Sequence, residues 1–326
     1  MKLGSLKSPQ SLDGELCVIS RDLKTAVKAT HISANLREAL EHWKEKEASL
    51  QKLYTDLNEG KAANAFPVDE KNFHSALPRT WLFADGSAFI YHIKLVRMAR
   101  KAPLPETLET VPLMYQGECG QFLAPTEDIP QRDFSHGTDF EGEVAVVTDF
   151  VPMGVTPEEA LKYIRLFVLI NDVSLRGLIP EELAQGFGFF QSKPASALSP
   201  FAVTADELGE AWKGGRIHLP LEVNYNGQFF GKANAGAMHF HFGQLIAHAA
   251  KTRNLAAGSV IGSGTVSNES HDKGSSCLAE KRMIEQIETG SIKTPFMKSG
   301  DTVEMQMLNE KGQSIFGKIS QKVKAV

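Results

Sequence analysis

Cysteine is scarce in this chain of 326 residues: Cys17, Cys119 and Cys277 are all there is, far apart and with no Cys-x-x-Cys pair. Three lone thiols exclude a disulfide framework and suit a reducing, cytoplasmic compartment. No apolar run approaches the roughly 20 residues of a membrane-spanning helix, and the opening MKLGSLKSPQSLDGEL lacks the apolar stretch of a secretory signal. A basic excess is missing too. Lys plus Arg number 35 against 39 Asp plus Glu, a net charge of −4, which argues against nucleic acid as a partner. The glycines form no dinucleotide fingerprint and no phosphate-binding loop, and there is no internal repeat. What remains is an ordinary globular balance, 42% hydrophobic and 23% charged, with length for about two domains.

The pattern along the chain points to an α+β, β-rich protein. Short strands broken by turns open the chain as far as Thr30. A helix follows from an N-cap at Ser33 or Asn35, with Leu36, Leu40, Trp43, Leu50, Leu53, Tyr54 and Leu57 at helical spacing and Gly60 as its stop. Pro67, Pro78 and Asp85-Gly86 break the next stretch. The run IYHIKLVRMARKA then reads as a short helix with a solvated basic face. Pro103 and Pro105 mark a boundary near 101–110, giving a small N-terminal domain over 1–104 and a main domain over 105–326. In the main domain EVAVVTDF alternates, and LKYIRLFVLIND is a helix or a strand. Asn226-Gly227 tips a hairpin. FHFGQLIAHAAKTRNL reads as a helix, VIGSGTV as a buried strand, and DTVEMQML and QSIFGKI as a closing hairpin. The apolar face of the FHFGQLIAHAA segment calls for cover, which a second copy would supply.

One pattern carries chemistry. In Asp139-Phe140-Glu141-Gly142-Glu143-Val144-Ala145-Val146-Val147, period-two geometry puts Glu141 and Glu143 on one face of a strand. Two inward carboxylates repel unless a cation sits between them. Asp172, at the end of the run Leu166 to Asn171, offers a third. All-carboxylate ligation suits a hard divalent ion such as Mg²⁺, Mn²⁺ or Ca²⁺. A solvated strand edge, with Asp172 an ordinary cap, is the plain alternative on spacing alone.

Glu141-Gly142-Glu143, then Asn171-Asp172-Val173-Ser174 with Arg176, Gln191-Ser192-Lys193 and Leu198-Ser199-Pro200-Phe201 resemble the fumarylacetoacetate hydrolase family. So do Asn224-Tyr225-Asn226-Gly227 and Gly262-Ser263-Gly264-Thr265-Val266-Ser267. The resemblance covers roughly residues 105–326, with an N-terminal segment like that of two-domain, bacterial-type members. It implies a mixed β-roll catalytic domain, a homodimer, and Glu141, Glu143 and Asp172 as ligands of a divalent metal, Mg²⁺ first, with Ca²⁺ or Mn²⁺ as alternatives. It further implies Lys193 as a lysine near the metal that polarises the substrate oxygen. Gly264, Thr265 and Gln185 become pocket residues, and Glu269 an aid to leaving-group chemistry, while Arg176 buttresses the acids. Tyr115 and Gln116 sit where the main domain begins, within reach of the pocket. The aspartate ligand and water-activating histidine that the resemblance calls for there are missing from PLMYQGECGQFL, whose one acid is Glu118. His136 is the nearest downstream candidate for the base.

These residues point to a metal-dependent hydrolase cleaving a carbon–carbon bond in a diketo acid of the fumarylacetoacetate or acylpyruvate type, in aromatic amino-acid or aromatic-ring catabolism. A decarboxylase, isomerase or hydratase would use the same metal without an attacking water. A non-catalytic member of the family would have no use for an inward acidic trio.

Overall fold

A computed structural model of the chain describes residues 1–99, 104 and 106–326. The expected boundary near 101–110 thus falls partly outside the described residues. The chain opens with strands β1 (Lys2–Ser8), β2 (Ser11–Ile19) and β3 (Thr25–Lys28). Helix α1 (Leu36–Glu41) starts at Asn35, whose side chain accepts from the Glu38 N–H. The single helix expected from the spacing is broken at His42, and α2 (Trp43–Asn58) continues it. The break lets both segments lay Leu36, Leu40, Trp43, Leu50 and Tyr54 on the same sheet face. Gly60 follows in the left-handed conformation, φ +71°.

Next come β4 (Phe66–Pro67), β5 (Phe83–Gly86), helix α3 (Ile90–Ala99), β6 (Met114–Gly117), β7 (Ile129–Gln131) and β8 (Thr138–Asp139). The segment left open between helix and strand is β10 (Ile164–Asn171), which follows β9 (Gly142–Thr148) and the short helix α4 (Pro157–Ala160). Strand wins because β10 pairs along its length with β9 and is apolar on both faces. After it come β11 (Ser174–Leu175), α5 (Ile179–Ala184), β12 (Ala197–Leu198) and β13 (Phe201–Val203). A small ribbon, β14 (Trp212–Lys213) with β15 (Arg216–Ile217), precedes the hairpin of β16 (Pro220–Tyr225) and β17 (Gln228–Asn234). That hairpin turns at Asn226 and Gly227, both at positive φ.

The chain closes with α6 (Phe242–Ala249), β18 (Val260–Gly262), α7 (Leu278–Thr289), β19 (Thr302–Met307) and β20 (Ile319–Ala325). The closing hairpin differs from expectation. β19 pairs with β20 from Ile319, the last residue of QSIFGKI, onward, and the residues before it make one bridge, Leu308 to Ser314. The apolar face of α6 needs no second copy, because Phe242, Leu245 and Ile246 are buried within this chain.

Two sheets organise the molecule. The larger runs β4-β3-β2-β1-β13-β10-β9-β18-β5-β6, and the smaller β17-β16-β19-β20-β7. The N-terminal strands join the main sheet directly through the antiparallel β1–β13 pair. β9 and β10 are buried on both faces. Val144, Val146, Phe167 and Leu169 face one core, while Ala145, Val147, Val168 and Ile170 face the core under α1 and α2. Alternation carries that second row outward from Ala145 to Glu143 and from Ile170 to Asp172.

Candidate active site

Strand register brings three acids together. β18 pairs in parallel with β5, setting Gly262 beside Asp85, and antiparallel with β9, setting Gly262 beside Ala145. β10 sets Ile170 opposite Glu143. One oxygen each from Asp85, Glu143 and Asp172 lies within 4.8 Å of the others, and all three side chains are buried. Gly262 leaves the necessary room: a Cβ there would stand 2.3 Å from Asp85 Oδ1 and 3.3 Å from Glu143 Oε2. The Gly264 N–H donates to Asp85 Oδ1 at 2.9 Å. Gly264 has φ +75°, and a Cβ on it would meet the Gly86 carbonyl oxygen at 2.2 Å, so both conformation and space require glycine there.

Among the described residues, Lys193 pairs with Asp172 and Glu141, whereas Asp85 and Glu143 form no ion pair. Among the described residues, neither oxygen of Glu143 has a hydrogen-bond partner. Burial, then the charge of Asp172, pushes Asp85 up to about 8. Burial, then Asp85, pushes Glu143 well above the usual carboxylate range. A buried carboxylate with two empty oxygens is costly unless a cation takes them. The three converging oxygen donors fit a hard divalent ion, which oxygen-only ligation favours.

A cationic side supports the trio. Lys193 Nζ donates to Asp172 Oδ2 at 2.5 Å and to Glu141 Oε2 at 2.9 Å, and stands 5.1 Å from the centre of the Tyr115 ring. Burial alone would lower the Lys193 pKa, but Asp172 and Glu141 outweigh it and hold the ammonium charged. Tyr115 donates its hydroxyl to Asp172 Oδ2 at 2.5 Å, and burial followed by the charge of Asp172 keeps its phenol protonated. Arg176 donates to Asp139 Oδ2 at 2.8 Å and also to Glu141. Burial raises the Glu141 pKa, yet Arg176 and then Lys193 overcome that and hold it below the usual range.

A small cavity of about 140 Å³ opens on this cluster, lined among others by Asp85, His92, Tyr115, Lys193, Gly264 and Thr265. His92 projects from α3, and its Nδ1 lies 2.8 Å from Glu280 Oε2 on α7. Glu280 is buried. Its position follows from the start of α7, where Cys277 caps the helix by accepting the Glu280 N–H. A histidine oriented by a buried carboxylate beside a triad of acids is a poised proton carrier.

Of the residues singled out from sequence, Lys193, Tyr115, Gly264 and Thr265 line this cavity, while Glu143 and Asp172 lie behind its wall, grouped with Asp85 and, for Asp172, bonded to Lys193 and Tyr115. Glu141 lines it as well, its oxygens turned to Arg176 and Lys193. Gln185 is exposed at the end of α5, and neither it nor Gln116 lines the cavity. Glu269 is exposed and lines a separate cavity with Lys94 and His239. His136 sits in a short 3₁₀ turn, 3.7 Å from Asp133, away from the trio.

Sequence reasoning missed Asp85, His92 and Glu280. Asp85-Gly86 reads locally as a turn but forms the end of β5. Over Ile90–Ala99 the helix expected from IYHIKLVRMARKA is present as α3, residues 100–102 lying outside the described residues, but its face is not wholly wet: α7 packs against it, and His92 and Ile93 line cavities. An aspartate and a histidine are therefore present at the site, contributed from upstream of PLMYQGECGQFL. The short spacing from Asp85 to His92 was the available signal.

The model for "Fumarylacetoacetate (FAA) hydrolase C-terminal" matches residues 82–324, and that for "Fumarylacetoacetase N-terminal domain 2" matches residues 1–79. The 2,4-didehydro-3-deoxy-L-rhamnonate hydrolase of Sphingomonas sp. (strain SKA58) is 28% identical over 167 residues, which is 50% of this chain and 54% of that protein. The chain spans about half the length of the curated relatives it matches first. The maleylpyruvate hydrolase of Sphingobium sp. SYK-6 superposes over 100% of both chains with TM-score 0.66 at 14% identity. The 5-carboxymethyl-2-hydroxymuconate delta-isomerase of Mycobacterium smegmatis does so over 100% of this chain and 99% of its own, with TM-score 0.62 at 17% identity. At such identities the two structures speak for the fold alone.

Proposed function

Because the chain belongs to the fumarylacetoacetate hydrolase family, we propose that it is a divalent-metal-dependent hydrolase cleaving a carbon–carbon bond in a diketo acid of the fumarylacetoacetate or acylpyruvate type. The observation that carries the reading is a buried carboxylate trio, with both Glu143 oxygens unpartnered, whose Asp85 lines the same cavity as a carboxylate-oriented histidine. The curated relative's name, a hydrolase of a didehydro-deoxy sugar acid, agrees with hydrolysis of an oxo acid. Aromatic amino-acid or aromatic-ring catabolism as the setting rests on the family.

Asp85, Glu143 and Asp172 would hold the ion, Mg²⁺ first, with Mn²⁺ or Ca²⁺ as substitutes, and Glu141 completes the acidic wall. When bound, it supplies Lewis-acid polarisation of the oxo-acid oxygens. His92, held by Glu280 through Nδ1, presents Nε2 as the base that takes a proton from water. The water oxygen bonds to the acyl carbonyl carbon, and the bond from that carbon to the methylene of the pyruvate half breaks. For an acylpyruvate the electron pair passes to the pyruvate half as an enolate, which takes a proton at carbon, leaving a carboxylic acid and pyruvate; fumarylacetoacetate in the same way leaves fumarate and acetoacetate. Lys193 donates toward the oxygen on which charge develops. Tyr115 fixes Asp172, and Gly264 fixes Asp85.

The protein is expected to work in the cytoplasm as a homodimer, the dimer resting on the family. A monomer in sedimentation at micromolar concentration would remove that part. Purified protein assayed with Mg²⁺ against fumarylacetoacetate, acylpyruvates and oxaloacetate tests the reaction. A carboxylic acid with pyruvate from an acylpyruvate, or fumarate with acetoacetate from fumarylacetoacetate, is the expected result, abolished in His92→Gln with Mn²⁺ binding retained. Turnover of oxaloacetate alone, or isomerisation without cleavage, with His92→Gln still active, would replace hydrolysis by the decarboxylase or isomerase reading.

A further inference from the structure

A second, larger cavity of about 460 Å³ adjoins the first. The two share His92, Arg176, Ile179 and Phe189 as a common wall. Beyond that wall the larger space is bounded by Ile93 from α3, Leu183 from α5, Met283 from α7 and Phe296. Three arginines also line it, and each is already engaged within the chain. Arg176 is held by Asp139 and Glu141. Arg282 lies flat over Phe296, 4.1 Å from the ring centre, and donates to the Thr294 carbonyl. Arg97 likewise has a partner of its own.

The two cavities thus divide the work. The smaller offers charges and donors suited to an oxo-acid head. The larger offers mostly apolar side chains, with Arg176 already paired to two carboxylates and Arg282 stacked on Phe296, so a second carboxylate entering it would lose its water against a largely hydrocarbon wall. A hydrocarbon chain or ring would lose only unfavourable hydration.

We infer that the larger cavity takes the acyl arm of the substrate and that the arm is apolar: an alkyl chain of several carbons or an aryl ring, with no carboxylate at its end. Ile179 and Phe189 lie where the arm leaves the reacting carbon, and Met283 is a specificity-determining residue farther in. The inference rests on the diketo-acid reading above.

The test compares three acylpyruvates that share a head and differ in the arm: acetylpyruvate with a methyl, valerylpyruvate with a butyl and succinylpyruvate with a carboxyethyl. The Mg²⁺-loaded full chain should prefer the butyl arm over the carboxyethyl arm by roughly tenfold or more in kcat/KM, the scale set by burying a few methylenes. Met283→Trp, which fills the cavity, should raise KM for the butyl arm by a larger factor than for acetylpyruvate. Leu183→Trp repeats the test if the first variant fails to fold. Equal or better use of the carboxyethyl arm, or an equal effect of Met283→Trp on butyl and methyl arms, would overturn the inference. Binding of para-fluorotoluene followed by fluorine NMR reads the cavity without turnover. Met283-dependent binding alongside inertness toward every acylpyruvate would reject the diketo-acid reading while supporting the apolar preference of the cavity. No binding of the probe would reject the apolar preference itself.

Discussion

Asp13 and Asp85 are both buried aspartates on strands of the same sheet, and their surroundings treat them in opposite ways. Asp13 accepts from Arg79 Nε and Nη2 at 2.9 and 2.8 Å and from Arg37 Nη2 at 2.8 Å. Burial alone would raise its carboxyl, but the hydrogen bonds from Arg79 and Arg37 outweigh it and hold the pKa below the ordinary value. Asp85 has a backbone N–H from Gly264 and two more acids for company, and burial pushes it up to about 8. Where a carboxylate serves the fold, the chain supplies its own cations. Where three carboxylates gather and the chain's lysine pairs with Asp172 alone of them, the remaining charge has to come from outside.

The sharpest way to break that contrast is Glu143→Gln. Several kcal/mol of Lewis-acid stabilisation should vanish with the metal, lowering activity by about a thousandfold or more. Calorimetric Mn²⁺ binding should fall with it, and unchanged binding would discard the carboxylate trio as the metal site. Lys193→Met comes next. It should keep metal affinity and lower turnover by about a hundredfold to a thousandfold, the usual effect of removing one donor from developing charge. Near-normal turnover would reduce Lys193 to charge balance for Glu141 and Asp172.

Asp13→Asn tests the other half of the comparison. Chemical denaturation should show a loss of about 1–3 kcal/mol, as for lost hydrogen bonds to charged groups, with kcat and metal binding unchanged. A loss of activity without a loss of stability would contradict the structural role. The smallest effect is in pH dependence. In the metal-free protein the folded state binds the Asp85 proton more tightly than the unfolded chain does. That stability is present at low pH and is lost as pH rises through about 8. The rise in Tm on adding Mg²⁺ should therefore grow between about pH 5 and pH 8, since protons and cation compete for the same oxygens. A pH-independent shift, or one that persists in Glu143→Gln, would place the ion elsewhere.

Local geometry made Glu143 legible. Alternation along an apolar strand points it the same way as Ala145 and Val147, and Asp172 follows from the parity of Val168 and Ile170. The Asn226-Gly227 turn and the Asn35 cap were legible for the same reason, since each depends on a few neighbouring residues. Lys193, Gly264 and Thr265 came from motif resemblance rather than geometry. Asp85, His92 and Glu280 were not legible, because what makes each functional lies far along the chain. Asp85 reaches the trio only because β5 runs parallel to β18 beside Gly262. His92 finds its carboxylate only because α7 packs on α3. Sequence periodicity determines which face of a strand or helix a side chain takes. Which distant element lies opposite that face depends on how the sheets and helices close over one another, and only the tertiary structure decides it.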